Sequence, residues 1–237
     1  MKEIKFQFQS YDLSATGSVR PSAVMRRLQQ VAREDLDSFG ITYKDLRDRN
    51  MAFVVSRMSL KFLRPLRGGT DYTLITGPMP AHGATFPRSF VIKENGEPVA
   101  FAMSLWALLD FEKRCLLRAS ALGTDLDASP DFTEGFSCER LARPKDQNPI
   151  YSDERRVYPS LLDENCHLNN CNYADLATDL LPGGKGEVRE MHISFQKEAK
   201  LDEILCMDGF KEGEDLLVSG TFRDRDETCF LCKIKLF

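Results

Sequence analysis

The sequence lacks a long hydrophobic run and an excess of basic residues. The apolar stretch from Pro98 to Leu109 is too short to cross a bilayer as a helix. Lysine and arginine number 32 against 36 aspartate and glutamate, so the net charge of −4 provides no basic field for nucleic acid or an anionic membrane. We therefore expect neither nucleic acid nor a membrane as a partner.

A disulfide-like pattern of cysteines is also missing, because the seven cysteines are odd in number and irregularly spaced. The first residues alternate charged and apolar side chains and offer no signal-peptide core, so we expect a reducing, cytoplasmic setting. Cys229 and Cys232 resemble half of a metal or redox site. In a strand, however, their sulfurs face opposite sides, and no second pair stands at ligand spacing. We predict that the chain uses no metal and no other cofactor.

Hydrophobic periodicity predicts a helix followed by antiparallel strands, twice along the chain, which is an α+β layout. The first helix is predicted from Pro21 to Gly40 and the second over Asn169–Leu181, ended by Pro182-Gly183-Gly184. The predicted strands are Ile4–Phe8, Ala52–Leu63, Asp71–Met79, Thr85–Lys93, Pro98–Phe111, Tyr151–Tyr158, Val188–Lys197, Glu203–Lys211, Leu216–Arg223 and Thr228–Leu236. We expect two domains, at residues 1–120 and 150–237, joined by a partly ordered linker at 121–149.

Two alignments support an internal repeat. Met58, Leu60 and Phe62 match Met191, Ile193 and Phe195 at a shift of 133. A shift of 151 places Asp12, Ser14, Thr16 and Ser18 on Asp163, Asn165, His167 and Asn169. On this alignment the histidine is retained in the second copy alone.

The segment that precedes the second predicted helix carries a carboxylate, a carboxamide and an imidazole, each two residues from the next: Asp163, Asn165 and His167. Asn169 or Asn170 is expected to cap the helix. The three side chains would then meet at a helix N-terminus, where unpaired N–H groups can hold a developing oxyanion. This pattern indicates an active site, although Asx residues also suit turns and a lone histidine in such a loop is often structural.

The residues 163–170 read Asp-Glu-Asn-Cys-His-Leu-Asn-Asn, which resembles the Asp-x-Asn-Gln-His-Val-Asn-Asn motif of acyl-acyl carrier protein (ACP) thioesterases. Tyr173 and a following segment, Phe195-Gln-Lys-Glu-Ala199, fit the same family. The resemblance implies a tandem double hot-dog, each copy a long helix wrapped by a curved antiparallel sheet. It also implies hydrolysis of fatty acyl-ACP thioesters in fatty acid biosynthesis, with the acyl chain bound in the first copy and the catalytic residues in the second.

The resemblance implies Asp163, Asn165, His167 and Glu198 as catalytic residues. Ala199 stands where the family has a cysteine, so a mechanism with that nucleophile fails here. Glu198 alternates in step with His192, Ser194 and Gln196, which predicts that these side chains share a solvent-facing side of the strand. Its counterpart in the first copy is Pro65, however, which predicts that strand pairing is interrupted here and that the Glu198 side chain is redirected. We expect Glu198 and His167 to activate water together, and either one can be the primary base. An acyl-CoA thioesterase and a non-catalytic acyl-binding module remain alternatives.

The expected partner is ACP with its phosphopantetheine-linked acyl chain. The basic clusters that could steer this acidic carrier are Arg26-Arg27, Arg64 with Arg67, Arg155-Arg156, and Lys197 with Lys200. Because a duplicated chain already supplies the pairing that a single hot-dog obtains by dimerising, a monomer and a homodimer are both compatible with the sequence.

Overall fold

The computed structural model describes residues 1–123, 126–181 and 186–237. They form two compact units. The first consists of Met1–Gln7, Arg26–Leu63 and Gly69–Cys138, and the second of Phe8–Met25, Arg64–Gly68 and Glu139–Phe237. The predicted helix stop at Pro182-Gly183-Gly184 lies outside the described residues. No helix in the described ranges is long and apolar enough to cross a membrane.

The elements of the first half are two α-helices and six strands: α1 (Pro21–Ser38), α2 (Tyr43–Asp48), β1 (Lys2–Phe6), β2 (Met51–Phe62), β3 (Tyr72–Pro78), β4 (Thr85–Glu94), β5 (Glu97–Asp110) and β6 (Cys115–Leu117). In the first unit the strands pair antiparallel in the order β1-β3-β4-β5-β2, with β6 on β5. A hairpin turn at Asn95-Gly96 joins β4 to β5. Both of its residues have positive φ, 52° and 89°, which asparagine and glycine tolerate.

The long first helix begins at Pro21, where the missing N–H costs nothing, and is followed by Gly40 at φ 75°. Its buried residues Val24, Leu28 and Val31 form one apolar face, as the spacing predicts. The short helix α2 was not predicted from periodicity. Its sequence signal is a capping box, in which the Thr42 hydroxyl accepts from the N–H of Asp45 and the Asp45 carboxylate accepts from the N–H of Thr42.

A buried ion pair lies within the first unit, between α1 and β4. Nη1 of Arg88 is 2.7 Å from Oδ2 of Asp35, and both side chains are almost fully buried. The terminal amine of Met1 is 3.4 Å from the other carboxylate oxygen, and Thr76 lies 3.4 Å from Nη1 of Arg88. Burial lowers the pKa of Arg88 from its ordinary value, and the neighbouring Asp35 opposes that shift.

The α-helix and strands in the described part of the second half are α3 (Asn172–Thr178), β7 (Tyr151–Arg156), β8 (Val188–Phe195), β9 (Ile204–Glu212), β10 (Asp215–Phe222) and β11 (Thr228–Leu236). These strands pair antiparallel in the order β8-β11-β10-β9-β7. The predicted strands are confirmed within a few residues at each end. The second helix is shorter than predicted, with seven residues, because Asn169–Cys171 form turns before it.

From residue 126 to residue 150 the predicted linker contains no strand, but hydrogen bonds and an ion pair hold it in place. The N–H of Ser129 donates to the carbonyl of Pro78 at 2.7 Å, and the Cys138 thiol donates to the carbonyl of Met103 at 3.3 Å. At the start of the second unit, the carboxylate of Glu139 reaches Lys233 at 3.4 Å. Side-chain and backbone hydrogen bonds therefore hold this segment where hydrophobic periodicity is absent.

His192 corrects one expectation about the second sheet. Strand parity predicted a solvent-facing polar side, but the His192 side chain is 2% exposed. Its Nε2 is 3.5 Å from Glu139 and 3.7 Å from Glu190. Desolvation lowers the pKa of His192, and the two carboxylates oppose the shift. The linker residue Glu139 helps to cover this face, which alternation within one strand cannot reveal.

The internal repeat is present, but one of its predicted shifts is wrong. In the first loop the N–H of Ser14 donates to the carbonyl of Ser18, and in the second the N–H of Asp163 donates to that of His167. Ser14 thus corresponds to Asp163 and Ser18 to His167, a shift of 163 − 14 = 149 rather than 151. Chemical similarity of Asp12 to Asp163 misled the alignment, whereas backbone hydrogen bonding defines the equivalence.

Candidate active site

The loop 161–169 is organised by the carboxylate of Asp163. Its Oδ1 accepts from the N–H of Asn165 at 2.8 Å and from the N–H of His167 at 3.3 Å. Leu162 and Leu168 pair as an isolated antiparallel bridge, which closes the loop. Asp163 therefore orders the backbone that carries Asn165 and His167, as an Asx residue at a tight turn commonly does.

A second segment, Gln196–Lys200, lies beside this loop. The N–H groups of Gln196 and Lys197 both donate to the carbonyl of Cys229, at 2.9 and 3.0 Å. Two consecutive residues therefore oppose a single residue of β11, which is the arrangement of a β-bulge. The regular ladder ends here, and Glu198 follows at once. The interruption predicted from Pro65 in the first copy is observed.

Hydrogen bonds join the loop to the bulged segment. The N–H of Leu168 donates to the carbonyl of Ala199 at 2.7 Å, and His167 pairs with Lys200 as an isolated bridge. Nε2 of His167 comes within 3.3 Å of Oε2 of Glu198. The imidazole is 26% exposed and the carboxylate 60% exposed, so the pair is accessible to water.

The four predicted site residues divide into two groups. His167 and Glu198 are in direct contact, although 31 positions separate them in sequence. Asp163 acts on backbone N–H groups of the same loop, and Asn165 is exposed on that loop. The structure thus brings the imidazole and the carboxylate together and gives Asp163 a supporting position. No group of three His, Cys, Asp or Glu side chains in the described ranges is arranged to hold a metal ion.

The expected helix N-terminus at the site needs correction. The helix begins at Asn172, five residues after His167, and its N-cap is Cys171, which makes no capping bond with its side chain. Oδ1 of Asn169 accepts from the N–H of Cys171 at 2.9 Å, which stabilises the turn before the helix. Asn169 thus makes the side-chain bond expected of a cap, but it does so in the turn before the regular helix, whose own N-cap position is Cys171.

Two buried residues beside the site were not predicted to support it. The hydroxyl of Tyr173 lies 3.5 Å from Sγ of Cys229, and the Cys229 thiol donates to the carbonyl of Lys197 at 3.2 Å. From the sequence alone, Tyr173 has a place in the family motif but no role, and Cys229 is considered only as half of a metal or redox site. A polar group at the tip of a buried aromatic residue was the available signal, since such hydroxyls usually find a partner.

Several residues of the basic clusters named from the sequence are already ion-paired. Arg67 is 2.9 Å from Glu187, Lys197 is 3.2 Å from Glu227, and Arg156 is 2.8 Å from Asp202. Arg155 contacts Asp153 and, at 3.7 Å, Asp179. Lys200 is exposed, and its backbone pairs with that of His167 as an isolated β-bridge. The surface around the loop is thus of mixed charge rather than a uniform basic patch.

Cys166 has a left-handed backbone, with φ 61°, and its equivalent in the first copy is Gly17 at φ 77°. A residue with a Cβ is strained there by about 1–2 kcal/mol. We predict that Cys166→Gly unfolds at an equal or higher temperature than the wild type and keeps its hydrolytic rate within about twofold, because glycine adopts this conformation freely. Thermal unfolding and initial rates check this, and a loss of activity above tenfold would give the thiol a chemical role.

Structural neighbours define the class of fold. An acyl-ACP thioesterase from Bacteroides thetaiotaomicron has a TM-score of 0.87 and 16% identity, covering 100% of this chain and 97% of that one. The 12:0-ACP thioesterase from Umbellularia californica has a TM-score of 0.84 and 18% identity, with 100% and 96% coverage. The expected tandem double hot-dog fold is thereby confirmed, apart from the short second helix.

The sequence itself identifies the family. Residues 2–121 match the acyl-ACP thioesterase N-terminal domain, which is just over half of the chain. The chain belongs to the acyl-ACP thioesterase family. It is also 28% identical over 116 residues to acyl-acyl carrier protein thioesterase ATL3, chloroplastic, of Arabidopsis thaliana. That alignment covers 47% of this chain and 60% of the relative.

Proposed function

We propose that this chain hydrolyses fatty acyl-ACP thioesters to free fatty acid and carrier protein by means of an activated water. The observation that carries the proposal is the 3.3 Å contact between His167 and Glu198 in a member of this family. An imidazole and a carboxylate at this distance can share the proton of a water molecule placed between them and the substrate. The fold alone would support many activities, so the proposal rests on the site.

The reaction needs one proton acceptor and one proton donor. As the water oxygen attacks the thioester carbonyl carbon, the water proton passes to the pair of His167 and Glu198. The tetrahedral intermediate then collapses, the carbon–sulfur bond breaks, and the phosphopantetheine sulfur receives a proton. Asn165, which is exposed on the loop, holds the substrate by its amide in this proposal. Asp163 keeps the loop in the required shape through two backbone N–H groups.

A cysteine nucleophile has little support in this chain. Ala199 occupies the place of the family cysteine and is buried. Burial raises the pKa of Cys229 to about 12, so its thiol stays protonated near neutral pH. Direct attack by water on the thioester therefore accounts for hydrolysis with the fewest groups.

Further assignments within the proposal concern the two halves and the partner. The first hot-dog, with its long helix α1, binds the acyl chain, and the second, at residues 150–237, carries out hydrolysis. ACP is the carrier, steered by exposed basic groups such as Lys200, and the setting is cytoplasmic. Because the chain is duplicated, it can work as a monomer or as a homodimer.

A thiol-release assay tests the proposal. Purified chain is given acyl-ACP and acyl-CoA of several chain lengths, and the released thiol is measured. We expect release from acyl-ACP, with a higher kcat/KM than from acyl-CoA and a decline as salt screens the carrier contacts. Faster turnover of CoA esters would reassign the substrate, and release from neither carrier would favour an acyl-binding module.

A further inference from the structure

Glu198 lies on a segment that the regular sheet does not hold. Strand β8 ends at Phe195, and the ladder with β11 gives way to the bulge at Gln196 and Lys197. The Glu198 side chain is 60% exposed, so packing against neighbours does little to restrict it. Its direction toward His167 therefore depends on how buried residues hold the backbone of residues 196–199.

Cys229 fixes that backbone at three points. Its carbonyl accepts from the N–H groups of Gln196 and Lys197, and its thiol donates to the carbonyl of Lys197 at 3.2 Å. Because burial keeps the thiol protonated, it remains a donor near neutral pH. One residue of β11 thus engages both the N–H and the carbonyl of Lys197, the residue immediately before Glu198.

Tyr173 supports the Cys229 thiol from within the core. Its hydroxyl is 3.5 Å from Sγ of Cys229, the same sulfur whose thiol donates to the carbonyl of Lys197. Burial raises the pKa of Tyr173, so the hydroxyl is neutral. Its ring is held edge-on by Phe195 and Phe230, with centroids 5.5 and 4.9 Å away. The hydroxyl therefore has a defined position.

We propose that Tyr173 and Cys229 are positioning residues that hold Glu198 against His167, an inference that rests on the proposed function. Cys229 contacts Lys197, the residue before Glu198, and Tyr173 contacts the Cys229 thiol, so both act on Glu198 through the backbone. On the side that faces the His167 loop, the N–H of Leu168 donates to the carbonyl of Ala199. The hydrogen bonds to Cys229 and to Leu168 together fix the backbone from which the Glu198 side chain extends.

The decisive variant is Tyr173→Phe, which keeps the ring and its aromatic contacts and removes the hydroxyl alone. We expect kcat to fall about fivefold to tenfold, the loss of one net hydrogen bond, with KM changed less than about twofold. In a Glu198→Gln background the same substitution should change kcat less than about twofold, because the residue on which it acts is already disabled. Equal losses in both backgrounds, or no loss in either, would overturn the inference.

Cys229→Ala and Cys232→Ala form a matched pair on β11. Both thiols are buried, but the Cys232 thiol lies on the opposite face of the strand from the one that contacts Lys197. We expect Cys229→Ala to lower kcat several-fold and Cys232→Ala to leave it within about twofold, with unfolding temperatures confirming that both fold. Similar kcat values for the two variants would contradict positioning by Cys229.

The same set of rates separates this inference from the proposed function. If the wild type hydrolyses acyl-ACP and Glu198→Gln is impaired while Tyr173→Phe is not, positioning fails and the function stands. A wild-type rate for Glu198→Gln removes Glu198 from the mechanism and overturns the inference with it. A wild-type chain without hydrolysis overturns both.

Discussion

His167→Ala is expected to lower kcat/KM for acyl-ACP by about 10²- to 10⁴-fold, the usual contribution of a general base. The imidazole lies 3.3 Å from Glu198 and is 26% exposed, so its removal takes away one half of the proton-accepting pair without opening the core. Steady-state rates with a saturating and a limiting acyl-ACP concentration measure the effect. The free energy of unfolding should change little, because the side chain is only partly buried.

His82→Ala is the control for this substitution. His82 lies in an exposed turn between β3 and β4, so its removal should leave kcat/KM within about twofold of the wild type. If His167→Ala retained wild-type turnover, the assignment of the water-activating pair would be wrong. A fall in both variants together would point to a loss of folded protein, which thermal unfolding detects.

Arg88→Met should destabilise the protein by about 3–5 kcal/mol, because it leaves the buried carboxylate of Asp35 without its guanidinium partner. The Met1 amine, 3.4 Å away and 57% exposed, compensates weakly because it is largely solvated. For a chain of this size, the unfolding temperature should fall by roughly 10 °C. Calorimetry or chemical denaturation of the full chain measures the change.

The double variant Arg88→Met, Asp35→Leu should recover most of that loss, since neither buried charge remains. A single variant as stable as the wild type would show that the pair is not buried in solution. A double variant no better than the single one would place the loss in packing around β4 rather than in the unpaired charge.

The antiparallel strands were predictable because alternation of polar and apolar residues marks each one, and the Asn95-Gly96 turn marks a hairpin. Helix α2 was missed because six residues are too few for periodicity, although its capping box at Thr42 and Asp45 was legible. Burial of His192 depends on Glu139 from the linker, a tertiary contact that no local pattern encodes.

The candidate site was predictable in its main pair. The polar spacing and the family motif identified His167, and Pro65 in the first copy predicted the bulge that turns Glu198. The buried supports were not predictable, because the contact of Tyr173 with Cys229 joins residues 56 positions apart. The loop equivalence required backbone hydrogen bonds, since side-chain likeness favoured a shift two residues too long.

Intact-mass measurement of a fatty acyl-ACP incubated with the purified chain tests the central claim most directly. The account predicts that the carrier loses the mass of its acyl group, that free fatty acid appears in equal amount, and that the His167→Ala and Glu198→Gln variants slow both changes. A carrier that remains fully acylated with the wild-type chain, or is deacylated equally fast by both variants, would contradict it.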